Sequence, residues 1–387
     1  MTANNVKAIT FEENQCCGCS ACASICNQGA ISMVENKRGF LVPIVDYNKC
    51  TNCGLCVSTC AFNKTIKEAS NIVKSYSLEI NNQSALTNSS SGGAFTAFSD
   101  VILGKGGYIV GSIMQDDFTV KHVITNEEKQ RDKMRGSKYV QSDVSNNFPE
   151  IKKLVTSGKP VMFTGTPCQS AALKSFMRKD YDNLYIIDFL CHGVPSNKMF
   201  KEHIAYLEKK VGKKIKGYSF RNKLYGWDPN SINAITFDNA QWHSKWIYQI
   251  YYYFFTSNFS LRLSCFNCPY KGLNHTSDLT IADFWHIERI TGKKNKKGVS
   301  LVLSFGPKGD DLIKQARNQC LIQEYTLHQV DYRLSKVSSK PHNNYNDFWQ
   351  TYLTDGYDKN VSSYFNNSIS NCIRFEIKKT AKRLGLI

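Results

Sequence analysis

The sequence predicts two units of different class: a small α+β domain near its start, then an α/β domain with a mostly parallel sheet. Three observations predict this. Of nine cysteines between Cys16 and Cys60, eight fall into two copies of one spacing. From Gly107 onward, short apolar runs alternate with longer runs of helical periodicity. Two of those apolar runs end in turns that carry a cysteine, Cys168 and Cys191.

The first copy is Cys16-Cys17-Gly18-Cys19-Ser20-Ala21-Cys22 with Cys26, and the second is Cys50-Thr51-Asn52-Cys53-Gly54-Leu55-Cys56 with Cys60. Each is C-x2-C-x2-C-x3-C, the spacing that bacterial ferredoxins use for a [4Fe–4S] cluster. Three thiolates of one tight loop reach three irons of a cube. The fourth, opening the following helix, points to the other cube. Cys16, Cys19, Cys22 and Cys60 are therefore assigned to one cluster, and Cys50, Cys53, Cys56 and Cys26 to the second. Residues 1–68 are expected to form this ferredoxin-like unit. Gly18, Ser20, Ala21 and Gly54 leave room for backbone amides near the sulfides. Zinc sites instead pair two C-x2-C units across a longer loop. Cys17 is surplus to the ligand count, and Asn27 and Ala61 stand where a proline often follows the fourth cysteine.

Hydrophobic residues make up 42% of the chain, enough for a sizeable core. Residues 1–15 are polar and lack the apolar stretch of a secretion signal. No apolar run reaches membrane-spanning length; the best candidate, Tyr248 to Phe259, is broken by Thr256 and Ser257. The 15 cysteines are an odd number in metal-like spacings, which suits a reducing compartment, so a cytoplasmic location is expected. The formal charge is +17, from 49 Lys and Arg against 32 Asp and Glu. The basic runs Lys209 to Lys216 and Lys293 to Lys297 accompany no nucleic-acid motif, so nucleic acid is not the expected partner. An acidic electron-carrier protein such as a ferredoxin, an anionic cofactor or a membrane surface suits the charge better.

Residues 69–87 are polar and Asn/Ser-rich and read as a linker. The larger unit, 88–335, opens with Asn88-Ser89-Ser90-Ser91-Gly92-Gly93 before an apolar helix, an arrangement whose free amides could hold a phosphate. Gly107 to Ile113 reads as a buried strand, Glu127 to Arg135 and Phe148 to Ser157 as helices. Val161 to Phe163 is a strand running into Thr164-Gly165-Thr166-Pro167-Cys168-Gln169, with a helix from Ala171. Leu184 to Phe189 is the next strand, ending at Cys191-His192-Gly193-Val194-Pro195. Cys168 and Cys191 thus lie past neighbouring strand ends, the edge where open α/β sheets bind ligands. Cys265-Phe266-Asn267-Cys268 completes a set of four. From spacing alone this set reads either as a third [4Fe–4S] site or as a reactive dithiol beside two buried cysteines. Cys320 and Cys372 have no partner pattern. The remainder, 336–387, is expected to wrap the surface and to end in a basic amphipathic helix with Ile373, Ile377, Ala381 and Leu384 on one face. Such a helix either docks on its own domain or touches an anionic membrane peripherally.

The ordered stretches Ser90-Ser91-Gly92-Gly93, Arg135-Gly136-Ser137-Lys138-Tyr139, Gly165-Thr166-Pro167-Cys168-Gln169, Cys191-His192-Gly193-Val194-Pro195 and Cys265-Phe266-Asn267-Cys268-Pro269 resemble the coenzyme F420 hydrogenase/dehydrogenase beta-subunit family. Members are flavoproteins carrying FAD and a [4Fe–4S] cluster, often behind a two-cluster ferredoxin domain. The resemblance implies that Cys168, Cys191, Cys265 and Cys268 hold a third cluster. It also implies that Ser91, Gly92 and Gly93, Gly136, Ser137, Lys138 and Tyr139, and Thr164, Gly165 and Thr166 face the flavin. Phe220-Arg221-Asn222-Lys223 with Gly226-Trp227, and Asp283-Phe284-Trp285, are similar to a branch associated with surface-polysaccharide genes. That branch has glycines flanking Asp-Phe-Trp, where this chain has Ala282 and His286.

No G-x-G-x-x-G, Walker A or C-x3-C-x2-C sequence is present, so standard dinucleotide, P-loop and radical S-adenosylmethionine readings have no footing. The expected function is an iron–sulfur flavoprotein oxidoreductase that passes electrons between the clusters and FAD and acts on a small organic substrate or a deazaflavin. The alternative is a non-catalytic subunit that relays electrons to a partner enzyme. His192, beside Cys191, is the candidate proton donor because an unperturbed imidazole titrates near neutrality.

Overall fold

Each cysteine repeat folds as a loop followed by a little over one turn of helix, α1 (Ala21–Ile25) in the first and α2 (Leu55–Thr59) in the second. The chain enters both through a left-handed residue, Ser20 at φ 62° and Gly54 at φ 74°. Cys26 and Cys60 have extended backbone and cap the C-terminal ends. Cys26 therefore ends a helix rather than opening one, whereas Cys60 ends α2 and leads into a 3₁₀ turn, Ala61–Asn63, whose Asn63 amide donates to the Cys60 carbonyl at 3.2 Å; at both, the extended backbone breaks the helical hydrogen-bond ladder and swings the thiol toward the other repeat. Between the repeats, β1 (Ile31–Glu35) and β2 (Leu41–Val45) pair antiparallel. The structure, a computed structural model, describes residues 9, 13–63, 74–228, 232–238, 241–330 and 339–383.

The second unit begins with β3 (Lys74–Ile80) and α3 (Gln83–Thr87), both inside the stretch expected to be a linker. The strand hides in a polar-looking sequence because Ser75 and Ser77 are buried in it; the Ser75 hydroxyl donates to the Tyr325 carbonyl at 2.7 Å. There follow α4 (Ala94–Gly104), β4 (Tyr108–Met114), β5 (Val120–Thr125), α5 (Glu128–Asp132), α6 (Asn147–Thr156), β6 (Val161–Gly165), α7 (Pro167–Met177), β7 (Leu184–Phe189) and α8 (Asn197–Val211). A small antiparallel sheet comes next, from β8 (Gly217–Asn222), β9 (Ile232–Thr236) and β10 (Trp242–His243), then α9 (Ile250–Thr256). The chain returns through β11 (Leu279–Asp283), α10 (Glu288–Thr291), β12 (Ser300–Ser304), α11 (Pro307–Ala316), β13 (Cys320–Tyr325) and α12 (Leu327–Val330). Helices α13 (Tyr345–Asp355), α14 (Tyr357–Tyr364) and α15 (Ile369–Arg383) complete the described chain.

The main sheet has eight strands in the order β13-β3-β12-β11-β7-β6-β4-β5. Its centre, β11-β7-β6-β4, is parallel, and β5, β12 and β13 run against it. With β3 restored to the central direction, five of the eight strands run the same way, as the alternating pattern predicts. Parallel centres are covered on both faces, and here α4 and α11 cover one face while α6 and α7 cover the other. The cysteine unit is not an appendage. Ala21 and Ala61 are buried in the same cluster as Leu173 and Phe176 of α7.

The tail departs from its expected surface role. Phe348 and Trp349 of α13 are fully buried in an aromatic core with Phe40, Phe200 and Phe254. Only α15 lies outside, held by Phe375 against Trp246 and by Lys379 Nζ donating to the Ser244 carbonyl at 3.1 Å. Ile373 and Ile377 are exposed rather than docked, and Leu384 lies outside the described residues. Among the described residues no helix is long and apolar enough to cross a membrane.

Candidate functional site

Three sets of cysteines each surround a cavity, and all 15 thiols are free. Cys16, Cys19, Cys22 and Cys60 line one of about 500 Å³. Cys26, Cys50, Cys53 and Cys56 line a second of about 160 Å³. Cys168, Cys191, Cys265 and Cys268 line a third of about 30 Å³. The cross-over of Cys26 and Cys60 between the repeats follows from the backbone turn after α1 and α2. Among the described residues, no three Cys, His, Asp or Glu converge on a single-ion position. The four thiols of each set match the ligand number of a four-iron cube.

The third set is assembled by the parallel sheet. Cys168 sits in the first turn of α7, just past β6, and Cys191 two residues past β7. Cys265 lies in a short 3₁₀ turn, Leu263–Asn267, and Cys268 caps it. Thr166 caps α7 reciprocally: its hydroxyl accepts from the Gln169 amide, and Gln169 Oε1 accepts from the Thr166 amide at 3.0 Å. Burial pushes the Cys191 thiol up to about 12 and Cys265 up to about 11. Cys168 is lowered to about 7, chiefly by a hydrogen bond from Cys17. Thiols held neutral by burial are expensive to ionise unless a metal takes the thiolate. Cys17 lines both the first and the third cavity, and its thiol hydrogen-bonds with Cys168 and Cys19.

Beyond the third set opens a cavity of about 890 Å³, at the C-terminal edge of β6, β7 and β11. Of the residues expected to face a flavin, Ser91, Gly93, Gly136, Ser137, Lys138, Tyr139, Thr164, Gly165 and Thr166 all line it, as does His192. Gly92 does not. Its amide donates to the Ser300 hydroxyl at 3.0 Å, and a Cβ there would fall 2.0 Å from the Leu78 carbonyl. Gly92 is a glycine because β3 passes so close, and its amide is not available to a phosphate. Burial, then Lys271, lowers His192 below its usual range, so its imidazole is neutral at neutral pH. Lys138 is lowered to about 7 by burial, and its ammonium donates to the carbonyls of Met134, Arg135 and Gly136 at 3.0, 3.1 and 3.1 Å.

Several lining groups had no role assigned from sequence. Arg221 forms a bidentate ion pair with Asp283, which also accepts from Trp227 Nε1 at 2.9 Å. Trp227 stacks on Trp285 with centroids 4.4 Å apart, and the Arg221 guanidinium lies over Trp285. Lys223 donates to the Ser91 carbonyl at 2.7 Å and so ties the serine loop to this cluster. The Phe-Arg-x-Lys, Gly-Trp and Asp-Phe-Trp stretches were the available signal. His286 keeps the turn after Asp-Phe-Trp in the left-handed region, at φ 57°, the conformation a glycine would adopt freely.

The cavity fits a group such as FAD. Its volume lies in the range of small-molecule sites. Arg135, Lys138, Arg221 and Arg289 line it, against one carboxylate, Asp283, already engaged by Arg221. Among the described residues, two polar atoms of its lining, His122 Nδ1 and Thr164 Oγ1, are buried without a partner.

Residues 158–329 match the family model for the C terminus of the coenzyme F420 hydrogenase/dehydrogenase beta subunit. Residues 15–64 match the model of a 4Fe-4S dicluster domain. A chain in the xenon-derivatised F420-reducing [NiFe] hydrogenase complex from Methanosarcina barkeri is similar at 16% identity and a TM-score of 0.47, over 78% of this chain and 94% of that one. No curated protein matches.

Proposed function

We propose that the chain, whose residues 15–64 match a 4Fe-4S dicluster domain and 158–329 the C terminus of the coenzyme F420 hydrogenase/dehydrogenase beta subunit, is an iron–sulfur flavoprotein oxidoreductase. Cys16, Cys19, Cys22 and Cys60 would hold one cube, Cys26, Cys50, Cys53 and Cys56 a second, and Cys168, Cys191, Cys265 and Cys268 a third. Ser91, Gly93, Gly136 to Tyr139 and Thr164 to Thr166 would hold FAD. When bound, the cubes supply one-electron transfer, and a flavin exchanges single electrons for the two-electron chemistry of an organic substrate.

One observation carries the reading: Thr166, Gln169, Cys191, Gly193 and Val194 line both the third cysteine cavity and the large one. A wall that thin brings a sulfur-held group and a cavity-held group within one packing layer of each other. The chain's residues do the remaining work. Arg221 and Lys223 fix the serine loop, and Arg135 and Arg289 offer positive charge to an anionic ligand. His192, held neutral, would offer a ring nitrogen as a hydrogen-bond partner rather than a standing positive charge. Trp285 and His286 would meet a small organic substrate or a deazaflavin, and an electron-carrier protein such as a ferredoxin would meet the exposed side of the second set, at Cys53.

The test is compositional. Anaerobically prepared protein should contain about twelve irons per chain, four per cube, with matching sulfide and one FAD. About eight irons without flavin would sink the proposal and leave only the dicluster domain. Turnover of a small molecule by the purified chain alone separates an enzyme from a relay subunit.

A further inference from the structure

Between the first and third cysteine sets lies a cation with no carboxylate. Arg262 is 1% exposed. Its Nε donates to the Cys16 carbonyl at 2.6 Å, Nη2 to the Leu41 carbonyl at 2.9 Å, and Nη1 to Gln141 Oε1 at 3.1 Å. The guanidinium lies over the Phe40 ring. Among the described residues no Asp or Glu forms an ion pair with it. Neutral acceptors satisfy its hydrogen bonds, yet they leave a full charge buried, which is costly without an opposite charge nearby.

Arg262 also ties the two sets together mechanically. Its amide donates to the Val194 carbonyl and its carbonyl accepts from the Cys265 amide, both at 2.9 Å. Gln141 extends the tie, because its Nε2 donates to the Cys17 carbonyl at 2.7 Å. The loop between them has no slack: a Cβ on Gly18 would meet Gln141, Leu41 and Arg262 at 2.7 to 2.8 Å. Arg262 also lines the cavity of the third set.

We propose that Arg262 is the shared counter-charge of the first and third cysteine sets when they hold iron–sulfur cubes, and that it raises the reduction potential of both relative to the second set. This rests on the cluster reading above. Thiolate-ligated cubes carry net negative charge, and that charge grows by one on reduction. A buried cation between two such groups stabilises the reduced form of each, and net charge is among the levers that set cluster potentials. Each reduction adds one electron from an external one-electron carrier; no bond forms or breaks. Arg262 is a positioning and tuning residue, not a ligand.

The experiment is a potentiometric titration of the full-length, anaerobically prepared protein, followed by electron paramagnetic resonance, with iron measured on every sample. In Arg262→Gln, two of the three one-electron couples should move to lower potential while the third stays. The expected shift is a tenfold fall in the reduced-to-oxidised ratio at fixed potential, about 59 mV for a one-electron couple. Arg262→Lys, which keeps the charge, should restore most of it. If Arg262→Gln loses iron, Gln141→Glu leaves Arg262 in place and sets a carboxylate against it, and the same two couples should fall. Three unmoved couples in an iron-replete variant, or three that move together, overturn the proposal. Wild-type iron near eight overturns it together with the cluster reading, and the iron value tells that failure from a failure of Arg262 alone.

Discussion

Cys17 shows how one residue changes meaning between sequence and structure. By spacing it is surplus, and in the fold it lines the cavities of both the first and the third cysteine sets. Because it is not counted as a ligand, Cys17→Ser should leave iron content unchanged, whereas Cys19→Ser should lose or convert one cluster; iron and sulfide analysis of both variants checks the register. A second residue-scale prediction concerns acid. His203 is buried between Tyr218 and Tyr357, with Nδ1 2.9 Å from the Tyr357 hydroxyl, and burial lowers it to about 3. Burial lowers His122 to about 4. Unfolded, both rings titrate at about 6.5. Between those values the unfolded chain binds protons that the folded chain refuses. Stability is therefore full above about 6.5 and falls as pH drops below it, with a slope approaching about 1.4 kcal/mol per pH unit for each ring. Urea midpoints at about pH 7.5 and about pH 5.5 should diverge less in His203→Phe than in the wild type, whatever the variant's absolute stability. Equal divergence would remove His203 from the account.

Among elements, legibility followed how local the determinants are. The two cysteine loops could be read because their ligands lie within a few residues of one another. Strands β6 and β7 could be read because both are nearly continuous apolar runs. Strand β3 could not, since Ser75 satisfies its burial through a hydrogen bond that only the assembled sheet supplies. Helix α13 was hidden in an Asn/Tyr-rich tail, although Phe348 and Trp349 fill a core begun by Phe40, some three hundred residues earlier. The third cysteine set needed a family resemblance, because its cysteines come from three separate segments. Gln141 and Arg262 left no local signal at all, since single polar residues declare themselves only through the partner they meet. The start of α7 carries its own prediction. Thr166→Ala removes the cap hydroxyl from the helix that bears Cys168, which should cost about 1 kcal/mol and lower the Tm by about 1–2 °C. An unchanged Tm in a scan of the holoprotein would mean that the cap is redundant there.

At the scale of the molecule, the cysteine unit and the α/β unit share a core through Ala21, Ala61 and α7. They should therefore unfold together: loss of visible cluster absorbance and of tryptophan fluorescence should coincide on heating, and separated transitions would show the units to be independent. Within nine residues, one segment meets both units. Arg262 reaches back to Cys16 and Leu41, Cys265 and Cys268 belong to the third set, and the Tyr270 hydroxyl donates to the Ala61 carbonyl at 2.8 Å. A module that swings between donor and acceptor needs a hinge it can release without cost to either end. Here the joint is the same segment that carries two cysteines of the third set, so the cysteine unit cannot swing out, be exchanged or be grafted elsewhere unless that segment travels with it.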